Sequence, residues 1–195
     1  MKRFFVWMLL AGSMAAGTQL QAQDLVKGDL KFLKGVKEIT VTYNYDNLTV
    51  GKDGKEATYI KRRKTEKEAK TPGTGVAWEE SWYNDRQVHY QPKFNELFSK
   101  YSDIKVSEDS TAKYIMEVHT TFIEVGYSVA VASGKAAVNL EIIFYDAADK
   151  KKVLSKIMLN DIEGGKGIFA TGIRIGEAYA KAGKVLGKFV AKKAK

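Results

Sequence analysis

Residues 168–195 carry the pattern that most constrains the fold, because they place three kinds of side chain on three sides of one long helix. At about 100° per residue, apolar side chains gather on one side and basic side chains on the far side. The apolar side consists of Ile168, Ile175, Tyr179, Ala182, Leu186, Phe189 and Val190. The basic side consists of Arg174, Lys181, Lys184, Lys188, Lys192 and Lys195. The pattern predicts a closing helix that packs its Ile175 and Leu186 side inward.

A stripe of small residues runs between these two sides of the helix. The stripe consists of Gly172, Gly176, Ala180, Gly183 and Gly187. Glycine in a helix interior costs about 1 kcal/mol relative to alanine, so the stripe indicates that something approaches the helix backbone closely. A neighbouring helix or sheet of the same domain is one explanation, and a partner chain is the other.

The amino terminus is typical of a secretory signal peptide. Lys2 and Arg3 form a basic start, residues 4–16 form an apolar run, and a small-residue cleavage site follows. The apolar run is shorter than the roughly 20 residues that a membrane-spanning helix needs. We therefore expect residues 1–23 to be a signal peptide, and residues 24–195 to form one exported domain, in the periplasm or outside the cell.

The absence of cysteine and the net positive charge limit the possible functions of this domain. The chain has no cysteine, which excludes a disulfide framework, a thiolate nucleophile and a lipid-bearing cysteine after the signal. Loss of Lys2 and Arg3 lowers the formal charge from +9 to +7. This excess favours an anionic membrane surface, an acidic glycan or an acidic protein, and export argues against nucleic acid.

Alternation of apolar and polar residues predicts five strands, which lie before and after a helical region. Their ranges are 38–45, 104–107, 112–124, 136–146 and 153–162. The polar residues Asp149 to Lys152 predict a turn between the last two strands, which then form an antiparallel hairpin.

Two helices are predicted between the first strand and the others. Asp53 followed by Glu56 matches a capping box and begins a charged helix that ends at Lys70. The second helix covers about Val76 to Tyr101, and Pro92 either kinks it or lies in the first turn of a restarted helix. Its core-facing stripe consists of Tyr83, Tyr90, Phe94, Leu97, Phe98 and Tyr101.

Trp78 and Trp82 lie four residues apart and outside that stripe. They form either an exposed aromatic patch or a contact with the preceding helix or the amino-terminal segment. The cost of leaving indole surface in water favours the contact, although both residues remain candidates for an interaction surface.

The connection between the third and fourth predicted strands, residues 126–134, is unusually apolar. It either extends both strands beyond the sheet as a hairpin that touches a partner or membrane, or forms a covered part of the ladder. We favour the covered ladder slightly.

Catalytic and metal-binding motifs are not found in the sequence. His89 and His119 have no second histidine at ligand spacing. The glycines of residues 164–167 do not form a phosphate-binding loop and predict a strand-to-helix connection. We expect no enzyme activity, no cofactor and no metal site. A hydrolase would need a concave site that gathers His119 and the strand carboxylates.

The order of elements resembles the small α+β domain of Gram-negative envelope proteins. These include the periplasmic domain of the curli secretion channel lipoprotein and the amino-terminal domain of the Tol-associated propeller protein. The resemblance lies in the strand entry Ala112-Lys113-Tyr114-Ile115 and in the closing helix Glu177 to Phe189. Residues 78–98, with Trp82, Asp85-Arg86 and Pro92-Lys93-Phe94, are similar to small exported proteins of unknown function. The resemblance implies assembly or binding rather than catalysis.

Together these patterns predict one α+β domain, with an antiparallel-rich sheet of four to five strands and helices mainly on one face. We expect a non-catalytic envelope binding or assembly module, with an envelope protein or a second copy of the chain as its partner. The candidate surface is the small-residue stripe, the lysines Lys181, Lys184, Lys188 and Lys192, and the two tryptophans. The alternative is association with a membrane surface or an acidic glycan through the lysines.

Overall fold

The computed structural model describes residues 23–108 and 111–195. The predicted signal peptide lies outside the described residues except for Gln23, which is the first residue of a strand. The fold mixes helices and strands, with 43% of the described residues helical and 36% in strands. This composition confirms the mixed α and β class.

Ten strands are present in the described residues. They are β1 (Gln23–Gly28), β2 (Glu38–Asn44), β3 (Thr49–Val50), β4 (Gly54–Lys55), β5 (Lys105–Ser107), β6 (Tyr114–Glu124), β7 (Tyr127–Val129), β8 (Ala132–Gly134), β9 (Ala137–Asp146) and β10 (Asp149–Glu163). The helices are α1 (Glu56–Lys70), α2 (Thr74–Asp85), α3 (Gln91–Ser102) and α4 (Thr171–Lys193), with short 3₁₀ turns at Lys31–Leu33 and Gly51–Asp53.

The main sheet has eight strands, so the prediction of four to five is wrong. Its order is β1-β10-β9-β6-β2-β5, with β3 beside β6 and β4 beside β3. Strand β2 runs parallel to both β5 and β6, and β3 runs parallel to β6, so the sheet is mixed rather than simply antiparallel-rich. Strands β3 and β4 have two residues each, too few to show an alternating pattern.

One face of the sheet forms the core. Along β6, the side chains of Met116, Val118 and Thr120 are fully buried, while the residues between them face the other side. Helix α4 packs on this buried face, where the Tyr179 hydroxyl lies 2.6 Å from the Thr120 hydroxyl. The Tyr43 hydroxyl of β2 donates a hydrogen bond of 2.6 Å to Asn95 of α3. The face under α3 and α4 is therefore the apolar one.

Helices α2 and α3 are joined without a break by a π-helical turn, Arg86–Tyr90. Pro92 lies in the first turn of α3, directly after the π-helical turn. Tyr90, Phe94 and Phe98 are buried as predicted, whereas Tyr83 is 45% exposed. The extra residue in the π turn rotates α2 relative to α3, so one regular helical repeat does not describe both.

Two local predictions are wrong. Asp53 does not cap α1, because its carboxylate binds the Arg62 guanidinium at 2.6 Å and the helix begins without a side-chain cap. The residues predicted to turn between the last two long strands belong to β10, which begins at Asp149 and pairs with Asp146. The turn is therefore two residues long, Ala147 and Ala148.

Candidate functional site

The small-residue stripe of α4 lies against the α2–α3 helix of the same chain. A methyl group at Gly176 would lie 3.0 Å from the His89 carbonyl oxygen, and one at Gly187 would lie 2.8 Å from the Phe98 carbonyl oxygen. At Gly183 it would overlap the carbonyl of Phe94. Such distances require backbone to approach backbone, which only glycine allows.

This contact corrects the prediction that the stripe is an interaction surface. Gly172, Gly176, Ala180, Gly183 and Gly187 are all buried within the chain. The rings of Tyr90 and Tyr179 stack 4.9 Å apart in the same helix interface. The stripe therefore serves internal packing, and its glycines are not available to a partner.

The lysine face of α4, defined as Lys181, Lys184, Lys188 and Lys192, remains open. Six lysines and no acidic residue follow Glu177 in the sequence. Lys188 and Lys192 are exposed, and Lys181 and Lys184 are half-buried. Within the described part of the chain, none of the four lysines forms an ion pair. The face therefore carries uncompensated positive charge.

Three lysines surround one aromatic ring beside this face. The amino groups of Lys184 and Lys188 lie 5.3 and 5.2 Å from the centroid of the Tyr101 ring, and that of Lys100 lies 6.0 Å from it. The electron-rich ring face attracts ammonium groups, so it holds together charges that would otherwise repel one another. Their concentration favours an anionic ligand at this position.

Arg174 does not lie on the lysine face, contrary to the helical projection, and is 3% exposed. Its guanidinium donates a 2.9 Å hydrogen bond to the Val125 carbonyl, and it also binds the carbonyls of Ile168 and Phe169. The connection from β10 to α4 folds over the first turn of α4 and covers this side chain. The hydrogen bonds of Arg174 thus link the residue after β6 to the connection between β10 and α4.

The two tryptophans pack on α1, which confirms the favoured interpretation. Trp82 is 3% exposed, and its indole N–H donates a 2.7 Å hydrogen bond to Glu56. The Tyr59 ring lies 4.9 Å from Trp82 and 5.8 Å from Trp78, centroid to centroid. Trp78 is half-buried, so part of its ring reaches the surface.

That part of Trp78 lines a cavity of about 370 Å³ between α1, α2 and the start of α4. We call this the α1–α2–α4 cavity. Its polar and aromatic lining includes Arg63, Lys67, Trp78, Ser81, Asp85 and His89. Of the predicted surface residues, the fold brings Trp78, Trp82 and Gly172 together here and leaves the lysine face elsewhere.

Asp85 is the acidic group of this cavity, and its carboxylate lies against Gly172 in the first turn of α4. Burial raises the pKa of Asp85 above its ordinary value, an effect that the nearby His89 opposes. The closest distance between the two side chains is 3.7 Å. Ser81 lies two helical turns from His89, about 12 Å along the axis, so His89 cannot activate it as a nucleophile.

The second histidine lies on the opposite, polar face of the sheet. The ring of His119 lies 2.8 Å from the Asp46 carbonyl and 3.5 Å from the Glu141 carboxylate, which also pairs with Lys156. Across residues 23–108 and 111–195, no group of three or more histidine and acidic side chains is arranged to hold a metal ion. In the same residues, no helix is long and apolar enough to cross a membrane.

The connection of residues 126–134 forms a separate hairpin of β7 and β8, so the slightly favoured interpretation as a covered part of the ladder is wrong. Val131 at its tip is 96% exposed, and Tyr127 and Val129 are more than half exposed. The ladder between β6 and β9 ends at Glu124 and Ala137. No helix in the described part of the chain covers the hairpin beyond it.

Comparison with known proteins identifies no family. No protein-family model matches the chain, and no curated protein matches it. Among solved structures, the chain is similar to the PelC dodecamer from Paraburkholderia phytofirmans in space group P6, with a TM-score of 0.42 and 12% identity over 85% of this chain and 98% of that chain. A variant PelC dodecamer from the same organism, in space group C2, has a TM-score of 0.38 and 14% identity over 85% of this chain and 94% of that chain. Because both TM-scores are below 0.5, neither function nor oligomeric state is transferred from them.

Sequence reasoning missed the cavity and the role of Arg174. The cations Arg63 and Lys67 are four residues apart on α1, a spacing that places them on one side of a helix. That spacing was visible in the sequence, but the position of Asp85 opposite them depends on how α1, α2 and α4 pack.

Proposed function

We propose that this protein is a non-catalytic, exported binding protein that associates with an anionic membrane surface through the lysine face of α4. The observation that carries the proposal is the convergence of Lys100, Lys184 and Lys188 on Tyr101 without an ion-pair partner in the described chain. Export rests on the signal-like pattern of residues 1–23.

The geometry of the lysine face favours a membrane surface over an acidic glycan. The lysines lie along one side of a helix, and their ammonium groups act as point charges without directional recognition. Each basic residue near an anionic bilayer contributes about 1 kcal/mol, so several together support reversible binding. The apolar side of α4 is already buried in the core, so we expect the protein to bind at the surface without inserting this helix.

Vesicle co-sedimentation tests this function. Residues 24–195 are expected to bind vesicles that contain phosphatidylglycerol and not vesicles of phosphatidylcholine alone, with binding lost at high salt. The variant Lys184→Gln/Lys188→Gln/Lys192→Gln should lose binding. The matched control Lys34→Gln/Lys61→Gln/Lys70→Gln removes three exposed lysines elsewhere and should retain most of it.

Two results would contradict the proposal. Equal losses in the two triple variants would mean that net charge, and not this face, determines binding. Binding to immobilised polyuronate but not to phosphatidylglycerol vesicles would favour the acidic glycan.

A second candidate function is assembly through the β7–β8 hairpin, with a second copy of the chain as the partner. The hairpin exposes Tyr127, Val129 and Val131. Among residues 23–108 and 111–195, each of its strands pairs only with the other, which leaves two strand edges open. Light scattering after size exclusion would detect an oligomer. Val131→Asp should dissociate it without lowering the stability of the monomer, whereas a native monomer would exclude this function.

A further inference from the structure

We propose that the α1–α2–α4 cavity binds a small acidic sugar, with its anionic group on Arg63 and Lys67 and its ring against Trp78. This site is separate from the lysine face, and the proposal does not depend on membrane binding. Four features of the cavity support it.

The cavity has the size of a small-molecule site. Its volume of about 370 Å³ lies within the roughly 300–1,000 Å³ that such sites occupy. The helices α1 and α2 form its walls, and the first turn of α4 closes one end. A site carried by packed helices keeps its shape better than one carried by loops.

The cations of the cavity provide a place for an anionic group. Lys67 has no ion pair in the described chain, and Arg63 pairs with Glu66 at 2.7 Å through one guanidinium nitrogen. The two residues lie one turn apart on α1, so a carboxylate or phosphate group can contact both. The amide end of α4 is not needed for this contact, because the Asp85 carboxylate already lies against it.

The aromatic surface distinguishes a sugar from a simple anion. The Arg63 guanidinium lies over the half-buried Trp78 ring, 6.0 Å from its centroid. Trp78 is held in position by Tyr59 and by Trp82, whose ring centroid lies 6.0 Å away. An apolar ring face next to a cation fits a ligand that has both an apolar face and an anionic group.

Hydrogen-bonding groups on α2 complete the site. The Asp85 carboxylate is half-buried and lies 3.7 Å from the His89 ring, and Ser81 adds an exposed hydroxyl to the same lining. The carboxylate and hydroxyl oxygens accept hydrogen bonds, and sugar hydroxyl groups supply donors. A simple anion such as acetate has none, and a neutral sugar leaves the cations unused.

Tryptophan fluorescence measures binding at this site directly. Trp78 and Trp82 are the two tryptophans of residues 24–195, and both line the cavity. We expect D-glucuronate to give a saturable change in emission, at a lower concentration than D-glucose or acetate. A titration with D-glucose 6-phosphate distinguishes a phosphate from a carboxylate as the anionic group, and saturation by either acidic sugar supports the proposal.

A pair of variants on α1 locates the site. Lys67→Glu should weaken glucuronate binding by about tenfold or more, because it removes one charged hydrogen bond and adds repulsion. Lys61→Glu makes the same change in charge on an exposed residue outside the cavity and should bind as the native protein does. Neither lysine forms an ion pair in the described chain, so both variants are expected to fold.

Three results would overturn the proposal. The first is the absence of a saturable change with either acidic sugar. The second is an equal response to acetate, which would mean that the sugar ring is not recognised, or to D-glucose, which would mean that the anionic group is not recognised. The third is equal binding by Lys67→Glu and Lys61→Glu, which would place the ligand outside the cavity.

Discussion

Helix α4 has two unusual faces, and the fold treats them in opposite ways. The small-residue stripe contacts the backbone of α2–α3 so closely that Gly183 has no room for a methyl group. The lysine face contacts the ring of Tyr101 through Lys184 and Lys188, and its residues Lys188 and Lys192 are exposed. The small-residue stripe of α4 therefore contributes to stability, and the lysine face is the part of α4 that a ligand can contact.

The difference shows how to interpret a small-residue stripe. Small residues reduce the distance between two backbones, and the free energy comes from the dispersion contacts made at that distance. Such a contact forms within a chain as readily as between chains, so the stripe alone does not identify a partner. Uncompensated charge is different, because a fold gains nothing from leaving like charges together on its surface.

The largest effect on this comparison is expected from Gly183→Leu. The side chain would overlap the Phe94 carbonyl and force α4 away from α3, which should lower the free energy of unfolding by about 3 kcal/mol. Urea denaturation measures the change. Ala191→Leu adds the same side chain at an exposed position of α4 and should leave stability nearly unchanged. A Gly183→Leu protein that kept its stability but changed its oligomeric state would contradict internal packing and would indicate that the stripe contacts another chain.

A smaller loss is expected from Arg174→Met. The change removes the hydrogen bonds to the carbonyls of Val125 and Phe169, and charge-assisted bonds of this kind contribute about 1.5–3 kcal/mol. We expect the free energy of unfolding to fall by about 2 kcal/mol in urea denaturation. Lys181→Met is the control on the lysine face. Equal effects of the two substitutions would show that Arg174 is only a surface cation.

The smallest change in stability is expected from Asp85→Asn, and it depends on pH. Burial raises the pKa of Asp85 in the folded state, so ionisation costs stability as the pH rises through that raised pKa. Asparagine removes this cost and should increase the free energy of unfolding at neutral pH by less than about 1 kcal/mol. The gain should vanish below about pH 4, where the carboxyl is protonated in both states. Glu80→Gln, an exposed change on α2, is the control, and a loss of stability in Asp85→Asn at neutral pH would contradict this account.

The regular parts of the fold could be predicted from the sequence. Alternation along β6 and β9 reflects one buried and one polar face, and burial of Trp82 follows from its large apolar surface. The number of strands could not be predicted in the same way. Strand β3 is too short to show a pattern, and its pairing with β6 is a long-range contact.

The candidate site could be predicted only in part. The lysine face follows from a helical projection, because exposed residues of a regular helix keep their spacing. The same projection is wrong for Arg174, since a projection contains no information about the connection that folds over the first turn of α4. The prediction for the β7–β8 hairpin is wrong for a related reason. Its apolar sequence does not show that the ladder between β6 and β9 ends before it.

The most direct test measures stability and membrane binding on the same two variants, Lys184→Gln/Lys188→Gln/Lys192→Gln and Gly183→Ala. We expect the lysine variant to keep its free energy of unfolding within about 0.5 kcal/mol, as surface substitutions do, and to lose binding to phosphatidylglycerol vesicles. We expect Gly183→Ala to be less stable but to bind the vesicles as the native protein does while folded. A lysine variant that still bound, or a Gly183→Ala protein that kept its stability and lost binding, would contradict the division of α4 into a packing face and a binding face.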